Sequence, residues 1–196
     1  MILPIVAYGD PILRKECAKI DADYPNLKEL ISNMKETMYN ASGVGLAAPQ
    51  IGKAIRLFII DASPFAEDED LDEADRAILK TFNRVFINPQ IIEEEGEEWA
   101  FNEGCLSIPD VRQDVYRQPK VTFTYQDENF KMHTEVLEGL AARVFQHEYD
   151  HIEGILFTDK LSSLKKRLIK KKLENISKGK IRADYRMRFP NLKKKK

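Results

Sequence analysis

His147 and His151 stand four residues apart in Gln146-His147-Glu148-Tyr149-Asp150-His151. On a helix that spacing puts both imidazoles on one face, a turn apart, where both can reach a single metal ion. At about 100° per residue, Leu140, Val144, His147 and His151 share one narrow sector, so the histidines continue an apolar stripe. Glu148 lies beside that sector, where its carboxylate could meet a water at the metal without ligating the metal itself. Two ligands and a general base are the logic of His-Glu-x-x-His. The alternative is a pair of satisfied core or surface histidines, so the reading depends on a third ligand.

Cys105, within Glu103-Gly104-Cys105-Leu106-Ser107-Ile108-Pro109, is the candidate. A buried cysteine alone is usually a small apolar side chain. A thiolate joined to two imidazoles, however, makes a three-donor set with a fourth position for water, the pattern of a catalytic rather than a structural site. Cys17 and His133 are the remaining Cys and His, and neither sits in a comparable motif. Ligand chemistry alone allows Zn²⁺, Fe²⁺, Co²⁺ or Ni²⁺.

The elements that must position these groups follow from periodicity. Leu27, Leu30, Ile31 and Met34 recur at helical spacing, which predicts a helix from about residue 26 to 39. The stretch from Ala41 to Gly52 reads as a small-residue loop with three glycines. Strands are predicted at 55–60, 85–92, 98–102, 111–116, 121–125 and 132–136, several bounded by turn residues. Residues 62–81 are acidic and read as a surface excursion. A helix over about 140–152, ended by Gly154, carries the histidine pair, and a second runs from Ser162-Ser163 to about Ser177. This order predicts an α+β fold with mainly antiparallel sheets around a central helix bearing the metal motif, and a C-terminal helix.

At 196 residues the chain is long enough for one core, and no apolar run approaches bilayer-spanning length. The start lacks a basic leader, and with two cysteines the chain is expected to be cytoplasmic with reduced thiols. The net charge of −1 hides an asymmetry. From Lys160 onward sixteen Lys and Arg face only Glu174 and Asp184, giving +14 there and −15 elsewhere. Clusters at 67–75 and 93–98 hold much of the acid and read as solvated surface. The expected division is a catalytic domain over 1–178 and a basic tail over 179–196. Leu161, Leu164, Leu168, Ile169, Leu173 and Ile176 fall on one half of the last helix, with Lys166, Arg167, Lys170 and Lys171 on the other.

Three segments resemble, in order, the signature segments of peptide deformylases: Gly43-Val44-Gly45-Leu46-Ala47-Ala48-Pro49-Gln50, Glu103-Gly104-Cys105-Leu106-Ser107 and Gln146 to His151. The likeness runs from Ile2 to about Leu173. It implies removal of the formyl group from the N-terminal formyl-methionine of nascent peptides. Cys105, His147 and His151 would hold one divalent metal, Fe²⁺ in the cell, with Zn²⁺ or Ni²⁺ in purified protein. Glu148 would take a proton from water and pass it to the leaving amine. The Gln50 amide and the Leu106 N–H would polarise the formyl oxygen. Gly45 would pair with the substrate backbone, and Val44, Phe101, Leu140 and Val144 would receive the methionine side chain. The resemblance also implies ribosome contact through the basic C-terminal helix; a monomer with no membrane partner is expected.

Two other readings compete. A zinc endopeptidase would need a third ligand beyond His151, where only Glu153 and Asp159 are near and no motif supports them. A non-catalytic metal- or ribosome-binding protein would not need Glu148 and Gln50.

Overall fold

The structure, a computed structural model, describes residues 1–191; the last four lysines of the expected basic tail lie in 192–196, outside the described residues. The chain runs β1 (Ile5–Val6), α1 (Leu27–Asn40), β2 (Gly45–Ala47), β3 (Leu57–Asp61), α2 (Glu73–Lys80), β4 (Asn83–Glu95) and β5 (Trp99–Cys105). It continues through β6 (Ile108–Arg117), β7 (Lys120–Gln126), β8 (Met132–Glu138), α3 (Gly139–Ile152), α4 (Ser163–Ser177) and β9 (Met187–Arg188).

The two-residue period of a strand sends alternate side chains to opposite faces, and here both faces are covered. Leu57 and Ile59 of β3 and Val85 and Ile87 of β4 join Leu30, Ile31, Met34 and Met38 of α1 in one core. Phe58, Ile60 and Phe86 join α3 on the other side. The sheet between them has order β2-β3-β4-β7-β8, antiparallel throughout. Phe145 of α3 lies against it, with ring centroids 5.3, 5.2 and 3.9 Å from Phe58, Phe86 and Phe123. The expected α+β architecture with a central helix holds.

No loop separates β8 from α3. Gly139 makes the change of direction at φ +58°, a left-handed conformation that favours glycine, and its N–H donates to the Pro119 carbonyl at 2.9 Å. The hairpin of β5 and β6 packs beside α3, and a third core joins Ile108, Val111 and Val115 of β6 to Phe157, Ile169, Leu173 and Ile176.

Four expectations need correction. The small-residue loop contains β2, an edge strand, because its residues are fully buried and pair with β3. The acidic excursion contains α2, capped by the Asp72 carboxylate accepting from the Asp75 N–H at 2.7 Å, and its Leu79 is buried. Leu164 and Leu168 are exposed, since α4 docks through the narrower stripe of Ile169, Leu173 and Ile176. The segment after Lys178, expected as a tail, returns to the body over 179–191: β9 pairs in parallel with β1, and Met187 and Phe189 pack against the third core.

Candidate active site

α3 is the helix that carries His147, Glu148 and His151, and β5 ends on Cys105. Their candidate donor atoms, from Cys105, His147 and His151, lie within 4.8 Å of one another. Cys105 Sγ is 3.3 Å from His151 Nε2. One thiolate and two imidazoles at that separation suit a single divalent ion, and Glu148 stands outside the set.

The His147 imidazole is oriented from behind. His147 Nδ1 donates to Glu103 Oε2 at 2.8 Å, which leaves Nε2 to face Cys105. A ligating histidine held by a carboxylate in this way has its tautomer and ring plane fixed. Glu103 is itself clamped. Arg117 donates to both its oxygens at 2.7 and 3.0 Å and to Asp150 Oδ2 at 2.7 Å, while Arg143 Nη1 reaches Glu103 Oε1 at 3.1 Å. All four charged residues are buried, and the two arginines balance the two acids. Burial alone would raise the Glu103 pKa, but the hydrogen bonds from His147 and Arg117 outweigh it and hold the group ionised, well below the usual carboxylate range. Removing one member of such a network costs about 3–5 kcal/mol, because it strands a buried charge.

Burial also holds His151 well below its ordinary pKa, aided by the positive charge of Arg117, so its ring is neutral and fit to ligate. Glu148 is pushed up to about 7 by burial. Glu148 Oε2 and His151 Nδ1 are buried and have no hydrogen-bond partner among the described residues. A carboxylate oxygen left unpaired in a cleft is a proton acceptor ready for a ligand or water.

Gln50 is buried on the other side of Cys105. Its Oε1 accepts the Ala47 N–H at 2.8 Å, which turns Nε2 toward Cys105 Sγ at 3.4 Å and Ser107 Oγ at 3.3 Å. Leu106 follows Cys105 in the two-residue turn that joins β5 to β6. Gly45 sits on the edge strand β2, and an added Cβ there would lie 2.3 Å from Glu148 Oε1.

A cleft of about 430 Å³ connects these groups. Its lining includes Val44, Gly45, Gln50, Phe101, Cys105, Leu106, Val144, His147 and Glu148. His151 lies beneath, 1% exposed. Leu140 does not line the cleft, contrary to expectation. It is four residues before Val144, about 6 Å further along the axis, and borders a separate depression with Leu79 and Leu137. The expectation for Leu140 came from the resemblance; periodicity gives the helix sector, which says nothing of how far the cleft extends.

Several residues of the site were not foreseen. Glu103 is two residues from Cys105 on a strand and therefore on the same face, a readable signal. Arg143, four residues before His147 in an apolar stripe, was another. Arg117 offered none, being brought in by the hairpin. Phe65, from the acidic excursion, lines the cleft and meets Phe101 edge-on at 6.3 Å. Tyr185 reaches the cleft from the returning C-terminal segment.

The family model described as polypeptide deformylase matches residues 2–167. The peptide deformylase of Christiangramia forsetii is 71% identical over 194 residues, covering 99% of both chains. That of Flavobacterium johnsoniae is 67% identical over 194 residues with the same coverage. Among solved structures, a peptide deformylase from Legionella pneumophila is similar with a TM-score of 0.76 and 38% identity, over 92% of this chain and 98% of that one.

Proposed function

The chain belongs to the polypeptide deformylase family, and from that premise we propose how its own residues remove the formyl group from the amino terminus of nascent peptides. The observation that carries the reading is the convergence of Cys105, His147 and His151 in one cleft with the unpaired Glu148 carboxylate.

Cys105 Sγ and the Nε2 atoms of His147 and His151 would hold a divalent cation, which supplies Lewis acidity and makes water nucleophilic at neutral pH. We take Fe²⁺ as the ion in the cell and Zn²⁺ or Ni²⁺ as substitutes in purified protein; a mixed thiolate and imidazole set accommodates all three. Gln50 Nε2 and the Leu106 N–H bind the formyl oxygen and hold it more tightly as negative charge collects there. Glu148 takes a proton as water adds to the formyl carbon, then delivers it to the amine nitrogen as the C–N bond breaks. Formate and a free amino terminus leave.

The edge of β2 suits an extended substrate, since strand addition there uses backbone hydrogen bonds and Gly45 keeps the approach open. Val44, Phe101 and Val144 form the wall for the methionine side chain. Gly45→Ala is expected to lower kcat about tenfold or more with little change in melting temperature, because the methyl group must push the Glu148 carboxylate aside and sub-ångström placement governs such steps. Unchanged turnover in that variant would show that Glu148 tolerates displacement.

The direct test is an anaerobic assay with metal content measured on the same sample. Formyl-Met peptides should be hydrolysed while acetyl-Met peptides and internal peptide bonds are not. Cleavage of internal bonds without deformylation would favour an endopeptidase and overturn the reading.

No described helix is long and apolar enough to cross a membrane. We place the protein in the cytoplasm, acting on chains as they leave the ribosome, with a monomer as the working unit because one chain supplies every residue named above. Lys166, Arg167, Lys170 and Lys171 on the exposed side of α4 suit contact with ribosomal RNA phosphate. Changing Arg167, Lys170 and Lys171 to Glu is expected to weaken co-sedimentation with ribosomes about tenfold or more at low salt, leaving hydrolysis of a short formyl peptide intact. Equal co-sedimentation of variant and wild type would make this face ordinary solvated surface.

A further inference from the structure

Leu106 and Ser107 form the turn between β5 and β6, with Cys105 paired to Ile108 across it. Such a turn leaves its carbonyls without ladder partners, and here each finds one from the joined chain ends. The Tyr8 N–H donates to the Ser107 carbonyl at 2.9 Å. The Tyr185 hydroxyl donates to the Leu106 carbonyl at 2.7 Å. Tyr8 and Tyr185 flank the two strands that pair the chain ends: Ile5 N–H donates to Arg186 O and Ala7 N–H to Arg188 O, both at 2.9 Å. The Leu106 side chain is constrained as well. It lies so close to Gly43 that a Cβ there would come within 2.7 Å of Leu106 Cδ1. Burial pushes the Tyr185 phenol well above its ordinary pKa, so the hydroxyl remains a donor at neutral pH.

We propose that the returning C-terminal segment fixes the catalytic turn, with Tyr185 as a positioning residue whose hydroxyl holds the Leu106 carbonyl and thereby keeps the Leu106 N–H aimed at the formyl oxygen. The inference rests on the reading of Leu106 as an oxyanion donor. Tyr185 lies beyond residues 2–167 matched by the family model, so this chain uses a segment outside the matched region to brace its site. The Leu106 carbonyl and N–H belong to adjacent peptide units joined at the Leu106 Cα. A turn whose carbonyl is unheld can rock about that Cα, and its N–H then loses alignment with the developing oxyanion more than with the ground-state carbonyl. The cost therefore falls on kcat.

Tyr185→Phe in the full-length, metal-loaded enzyme removes the hydroxyl and keeps the ring. A lost neutral hydrogen bond of this kind corresponds to a fall of about threefold to tenfold. We expect kcat to fall by that factor with KM for a formyl-Met peptide and metal content unchanged, and the melting temperature lowered by no more than the few degrees that one lost hydrogen bond costs. Amide hydrogen exchange across residues 105–108 should be faster. Tyr185→Leu, which also removes the cleft-lining ring, should in addition raise KM. Unchanged kcat or unchanged exchange in Tyr185→Phe overturns the proposal, as does a fall in kcat accompanied by metal loss. Failure of the functional reading would show in the wild-type arm alone, whereas this inference stands or falls on the difference between wild type and variant.

Discussion

Glu148→Gln is expected to keep one metal ion per chain and to lose about 10²-fold or more in kcat, the usual range for removing a positioned acid and base. The substitution preserves shape. Glu148 is 4% exposed and its carboxylate packs against the Cα of Gly45, a fit that an amide of equal size retains. It removes only the capacity to take up and release a proton. The ligand set is complete without it, since among the described residues Cys105, His147 and His151 are the three whose donor atoms converge. The variant should also bind a formyl peptide with little change in affinity. Metal analysis alongside single-turnover kinetics checks this. Loss of the ion would make Glu148 a ligand, and a near-normal rate would take the proton transfer away from it.

The second large effect separates the two cysteines. Cys105→Ser should lower metal affinity and activity by more than the roughly 10–100-fold that loss of an outer hydrogen-bond partner costs, because a hydroxyl is a poor substitute for thiolate. The sulfur lies between His151 Nε2 at 3.3 Å and the Gln50 amide at 3.4 Å, so the change is felt by a ligand and by a proposed oxyanion donor together. Cys17 is buried in the core and sits 3.8 Å from the Lys15 carbonyl. Burial pushes its thiol up to about 11, only partly offset by Arg56, so it is a neutral apolar side chain. Cys17→Ser should cost stability of about 1 kcal/mol and leave metal and turnover alone. Metal titration and thermal melts of both variants decide the matter; equal tolerance would remove Cys105 from the ligand set.

Both predictions begin from residues that the sequence made legible and rely on contacts that it did not. The i, i+4 spacing of His147 and His151 reports a helix face directly, and the strands 121–125 and 132–136 are visible in period-two alternation. The same arguments failed where depth mattered. Leu168 belongs to the apolar stripe of the last helix by angle, yet it is open to solvent. An angular sector says which way a side chain points but not how far the neighbouring element extends.

What the sequence by itself determined was therefore local: the ligand types, the base beside them, the two helices that matter, and the mainly antiparallel character of the sheets. Backbone periodicity and residue chemistry act within a few positions, and both are written in the chain. Tertiary structure alone decided the rest. Arg117 reaches Glu103 and Asp150 only because a hairpin folds it against α3, and Tyr185 meets Leu106 only because the chain's end pairs with its beginning. Those contacts join residues up to 79 positions apart, and they exist because buried charges and turn carbonyls must find partners once water is excluded.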